Sequence, residues 1–216
     1  QILRTLGARK AELAEAPENR ERREAWYLHD AGADGRTMIL AEASGIRDEN
    51  SPTPDSMLEC SDPTARSLER KMRAEFYNFE VLGDDHVIEP WINVGWDVTI
   101  GTFGVEPVVH SGDQDGKMGA RRWDPPITDL DRDFSLLHVR ELSVDREATY
   151  AKKTQLERIF DGVLPVRIRG GHYWTMGLTW RAIDLIGLEG LMLSMYDNPQ
   201  GLHRIMGLLR DDHLNM

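Results

Sequence analysis

Asp-Arg-Glu-Ala-Thr-Tyr-Ala-Lys-Lys-Thr-Gln-Leu-Glu-Arg-Ile-Phe-Asp-Gly-Val-Leu-Pro-Val-Arg-Ile-Arg, residues 145–169, is the stretch whose reading decides the fold. Residues 145–160 place Ala148, Lys152, Leu156 and Ile159 at helical spacing, which predicts one inner stripe with the Lys152 stem lying along it. Gly162 punctuates the helix, and residues 164–169 read as a strand. There Arg167 and Arg169 alternate with Val166 and Ile168, so both arginines share one face. A helix handing on directly to a strand is half of a βαβ unit and implies a parallel sheet.

The same grammar extends outward. Residues 37–41 form a short apolar run between Gly35 and Gly45, the pattern of a buried strand. Asp62-Pro63 supplies a capping carboxylate and a proline for the first helical turn, and Ala65, Leu68, Met72, Phe76 and Phe79 give the next helix a buried face that ends at Gly83. Residues 86–92 read as a second strand, and residues 98–123, with several glycines, as short strands or a hairpin. Residues 179–196 read as a helix interruptible at Gly187, and Asn198-Pro199 opens another, with Leu202, Ile205, Met206 and Leu209 buried. The first 30 residues are helical, broken at Ala16-Pro17, and the charged helix at 18–29 is expected on the surface. No Gly-rich phosphate loop follows the first strand, since residues 41–45 have the wrong spacing for a dinucleotide site. The expected architecture is therefore α/β, a (β/α)8 barrel of the TIM type, incomplete in this chain. Residues 1–34 form an N-terminal helical extension and residues 35–216 the first part of the barrel.

Composition narrows the class. Of 216 residues, 26 are Lys or Arg and 37 Asp or Glu, a formal charge of −11 that argues against nucleic acid or an anionic membrane as partner. One cysteine, Cys60, forms no internal disulfide and points to the cytoplasm. The most apolar segment, residues 183–196, carries Asp184 and Glu189 and is too short to span a bilayer.

Residues 187–200, Gly-Leu-Glu-Gly-Leu-Met-Leu-Ser-Met-Tyr-Asp-Asn-Pro-Gln, with Leu202-His203-Arg204-Ile205-Met206, resemble a segment of the uroporphyrinogen decarboxylase-like superfamily. Val87-Ile88-Glu89-Pro90-Trp91 and the helix from Pro17 to Trp26 look like its longer bacterial members. The resemblance implies a (β/α)8 barrel of which this chain supplies the opening portion, closed by a further segment or by a partner chain in a homo-oligomer. It implies either decarboxylation of a carboxylated substrate, as in the uroporphyrinogen III enzymes, or methyl transfer between a small methylated substrate and a corrinoid carried by a partner protein. The arginine-rich signature of the decarboxylases has no counterpart at residues 40–44, which favours the methyltransferase branch. Any zinc ligands of that branch are expected beyond Met216, and no metal ligand is assigned here.

Barrel enzymes build their sites at the carboxyl ends of strands. Glu42 and Glu89, read as ending the first two strands, are candidates for acid/base work, for gripping a cation or for pairing with arginines. Arg169 is a candidate anion clamp. In the loop after its strand, His172 is a candidate proton donor and Trp174 a stacking wall. Trp91 and Asn93 complete the expected pocket. The expectation is thus Glu89 and His172 as catalytic groups, with Arg169, Trp174, Glu42, Trp91 and Asn93 on the substrate. Asp84-Asp85-His86 and Asp211-Asp212-His213 read as solvated caps on the opposite face. A non-catalytic ligand-binding protein is the rival class, expected where the candidate acids and arginines only satisfy one another.

Overall fold

The structure, a computed structural model, describes residues 1–33, 35–42, 48–111, 121–171 and 177–216. The chain divides into two compact units, residues 1–95 with 147–169 and residues 96–146 with 170–216.

In the first unit, helix α1 (Ile2–Ala14) buries Leu3, Gly7, Lys10, Leu13 and Ala14. A side chain at Gly7 would place its Cβ 2.7 Å from Cε1 of the fully buried Phe160, so the glycine permits the close approach. Helix α2 (Pro17–Asp30) begins with a proline where no amide bond is lost. Helix α3 (Pro63–Tyr77) opens as its sequence predicts: the Asp62 carboxylate accepts from the Ala65 amide at 2.8 Å. A π-helical stretch, Asn78–Leu82, extends it to Gly83, whose φ of 63° ends it.

Strand β1 (Ile92–Val94) leads out of this unit, which the chain re-enters in helix α4 (Arg146–Phe160) before strand β6 (Val166–Ile168). The strands pair in parallel, Ile92 opposite Val166, Asn93 opposite Arg167 and Val94 opposite Ile168. One core forms on the helix side, where Ile88, Ile92, Val94 and Val166 meet Met72, Phe76, Leu156 and Phe160, joined by Leu3 and Leu13 of α1. The first helix is thus part of the core of its unit. Along α4 the buried residues are Thr149, Leu156 and Phe160, while Lys152 is exposed instead of lying on the stripe.

The second unit holds strands β2 (Asp97–Ile100), β3 (Val108–Ser111), β4 (Arg121–Asp124) and β5 (Leu142–Asp145). β2 pairs with β5 and β3 with β4, both antiparallel. Helix α5 (Leu178–Asp197) breaks its helical geometry at Gly187, with φ 74° and ψ 160°. Two residues earlier the Leu185 carbonyl accepts the Ile127 amide at 3.0 Å. Helix α6 (Pro199–Leu214) is capped by Asn198, whose side chain accepts from the Gly201 amide at 2.8 Å. Ile127, Leu185, Ile186, Leu191, Ile205 and Leu209 form the second core.

These pairings overturn the barrel. Among the described residues the six strands lie in three separate two-stranded sheets, and one pair only is parallel. The βαβ reading of residues 145–169 holds for β1, α4 and β6. It does not propagate, because the remaining strands find antiparallel neighbours. Residues 37–41 form no strand, and Ile39 and Leu40 are exposed. Apolarity alone did not bury this run; without a paired neighbour its amides went to carboxylate side chains instead. Among the described residues, no helix is long and apolar enough to cross a membrane.

Candidate functional site

The extended run at 86–94 carries the site. Its register is fixed by Asn19, a fully buried residue of α2 whose amide group donates to the Ile88 carbonyl at 2.9 Å while its oxygen accepts the Ile88 amide at 2.8 Å. From there the side chains alternate. Ile88, Ile92 and Val94 go into the core, while Val87, Glu89, Trp91 and Asn93 line a cavity of about 60 Å³. Lys10 of α1 and Leu68, Lys71, Met72 and Glu75 of α3 line it as well.

Polar groups in this cavity are mostly spoken for. The ammonium of Lys10, 4% exposed as a residue, is paired with the Glu75 carboxylate, as a buried charge requires. Glu89 lies 4.0 Å from the Arg23 guanidinium. Arg167 stacks its guanidinium 3.9 Å from the centre of the Trp91 ring. Among the shielded polar atoms of the lining, the exception is on Asn93. Its Oδ1 is shielded from solvent and accepts no hydrogen bond, although a buried carbonyl oxygen without a donor is costly.

The structure therefore brings three of the expected site residues together, Glu89, Trp91 and Asn93, and separates the others. Glu89 precedes β1 and does not end it, so it lies toward the amino end of the parallel pair. Arg169 follows β6 at the carboxyl end, its amide donating to the Val94 carbonyl at 2.9 Å. The single rim expected to join Glu89 and Arg169 does not form, because the strand begins at Ile92, six residues later than its apolar pattern suggests. Glu42 ends no strand and is exposed; the residue before it is held by Asp84 and Asn78, at 2.9 and 3.2 Å. Arg167 is exposed on the face away from the core and meets Trp91 in place of a carboxylate. His172 and Trp174 lie outside the described residues. Among the described residues no three His, Cys, Asp or Glu side chains are grouped to hold a metal ion.

Sequence reading missed Lys10, Lys71 and Glu75. For Lys10 a signal existed: it lies on the Leu3, Gly7, Ala14 stripe, where a lysine that faces the core must find a carboxylate. The acidic pairs read as solvated caps are also corrected. Asp84 and Asp85 are buried and hold residues 36–41, with Asp85 accepting from Arg36 and from the Ile39 amide. The bonds from Arg36 bring the Asp85 carboxyl down to about 2 against the effect of burial. Burial pushes the Asp84 carboxyl up, but the Ala41 amide and His86, 2.5 Å away, outweigh it and hold it below the usual range. In the second unit Asp212 is buried against Arg140, with bonds from 2.6 to 3.2 Å.

The chain is thus a helix-rich protein of two units, with a small cavity beside the parallel strand pair of the first. No family model, no curated protein and no solved structure matches it.

Proposed function

We propose that this chain belongs to an enzyme of the uroporphyrinogen decarboxylase-like kind, on its methyltransferase side. It would take the methyl group from a small donor, which it binds in the cavity of the first unit. The segments at 87–91 and 187–206 support the kinship, and the first of them lines the cavity. The reading does not need a closed ring of strands, since the cavity is complete within one unit. A reduced corrinoid on a partner protein would supply the methyl acceptor.

The chain's own residues would bind and orient. Trp91 and Asn93 would wall the donor, and Glu89 would relay a proton from solvent to the departing heteroatom. The observation that carries the reading is a cavity lined by Glu89, Trp91 and Asn93, in and just beyond the segment that carries the kinship. Decarboxylation is less well served, because Lys10 is committed to Glu75 and Arg167 to Trp91.

The experiment is methyl transfer to free cob(I)alamin by the full chain, with methanol, methylamine and a methoxybenzoate as donors. Turnover with a small donor, lowered at least tenfold in Glu89→Gln, is expected. No turnover with any donor, alongside release of carbon dioxide from an acid, would replace the reading with decarboxylation.

A further inference from the structure

We infer that the outer face of helix α5 beyond Gly187 is a docking surface for a second copy of this chain, the two helices meeting about a two-fold axis near Met192. The inference is independent of the proposed methyl transfer and involves residues of the second unit only.

The composition of the helix is the first argument. Residues 188–196, Leu-Glu-Gly-Leu-Met-Leu-Ser-Met-Tyr, carry one charge, Glu189. Leu191 packs into the second core. On the other side Leu188, Met192, Leu193 and Met195 are each more than half exposed, and Tyr196 is 89% exposed. A helix that is apolar all round belongs inside a structure, because a surface helix turns charged residues outward. Helix α6 keeps that rule, exposing His203, Arg204, Arg210 and Asp211 around its buried stripe. Residues 188–196 are too few to cross a bilayer, which takes roughly 20, so a protein surface is the cover.

Shape names the occupant. Beside the projecting stripe runs a groove of about 390 Å³, whose walls include Pro125, Ile127, Ile186, Gly187, Gly190 and Ser194. Knobs and a groove on one face are what a two-fold contact requires, since each copy then offers both halves of it. An antiparallel pairing centred between Met192 and Leu193 brings Tyr196 of each copy opposite Glu189 of the other. The tyrosine hydroxyl can then donate to the one carboxylate of residues 188–196.

Charge and area fit the same occupant. Each copy carries a formal charge of −11, so two copies repel wherever their acidic surfaces meet, and this stripe lets them touch with Glu189 alone nearby. The five exposed side chains offer roughly 100 Å² apiece, so a pair would bury about 1,000 Å², the lower end for a specific interface. The dimer is accordingly weak, dissociating at about 1–100 µM.

The test is sedimentation of the full chain over roughly 1–500 µM, at low salt and in about 0.5 M sodium chloride. A monomer–dimer equilibrium is expected, tightened by salt because screening removes the repulsion and leaves the apolar contact. Met192→Glu puts a charge beside the axis and should weaken the dimer at least about tenfold. Tyr196→Ala, which adds no charge, should weaken it as well. Leu214→Glu, a like change at an exposed leucine of α6, should leave it intact. All three positions are exposed, so each variant should keep the wild-type circular dichroism. A monomer at every concentration overturns the inference, whether the face then proves to hold a different protein or a lipid vesicle. So does a dimer that Met192→Glu and Leu214→Glu weaken alike, or one that salt dissociates, since ion pairs elsewhere would then hold it.

Discussion

The two units solve the same problem, burying charge, with different consequences. The second uses Asp212 to tie Arg140 by its side chain and its amide, and the guanidinium also covers the Phe103 ring at 4.6 Å. This arrangement locks a helix end. The first also has such locks. Glu69, fully buried, accepts the Glu59 and Cys60 amides and the Arg73 guanidinium at 2.8 to 3.1 Å. Burial pushes its carboxyl up, and these bonds more than reverse that, to about 2. Yet the same unit leaves the shielded Oδ1 of Asn93 and Nη1 of Arg22 without a hydrogen bond.

The comparison can be broken most forcefully at Glu69. Glu69→Ala orphans two amides and leaves Arg73 only its pair with Glu59, and is expected to cost about 3–5 kcal/mol. Hydrogen exchange should show the loss in residues 1–95 and 147–169, with the second unit protected as before. Asp212→Ala is the mirror experiment. It leaves a nearly buried guanidinium unpaired and should cost about 3 kcal/mol, read in the protection of α6. Loss of protection in both units from either change would show that they do not unfold separately.

A smaller effect is expected at Gly187. Its φ of 74° suits glycine, and an added Cβ would also sit 3.4 Å from Pro125. Gly187→Ala should therefore cost about 1–3 kcal/mol, measured as a lower urea midpoint of the second unit.

Acid sharpens the contrast further. Asp85 has its carboxyl lowered from 3.8 to about 2, so its contribution is complete above the ordinary value and is lost as pH falls through about 2. Exchange of the Ile39 amide, which donates to Asp85 at 2.7 Å, should accelerate between about pH 4 and pH 2. Asp85→Asn should remove that dependence.

Legibility followed the range of the interactions. The Asp62-Pro63 and Asn198-Pro199 starts and the break at Gly187 were readable because cap, proline and glycine act on their own turn. Residues 37–41 looked like a strand because a strand's apolar pattern does not name its partner, and this run found carboxylates 43 and 46 positions away. The site was half legible. The alternation through Glu89, Trp91 and Asn93 lies in the sequence, but Lys10 and Glu75, 65 positions apart, enter only through the packing of α1 on α3. The barrel was inferred from one genuine βαβ unit extended to strands that pair antiparallel.

The most direct measurement is methylation of cob(I)alamin by the full chain with methanol as donor, comparing wild type with Asn93→Asp and Asn93→Leu. Turnover by the wild type that falls at least about tenfold in both variants, with the fold intact, is the predicted result. Equal turnover in all three would show that the donor does not bind beside Asn93 and would contradict the account.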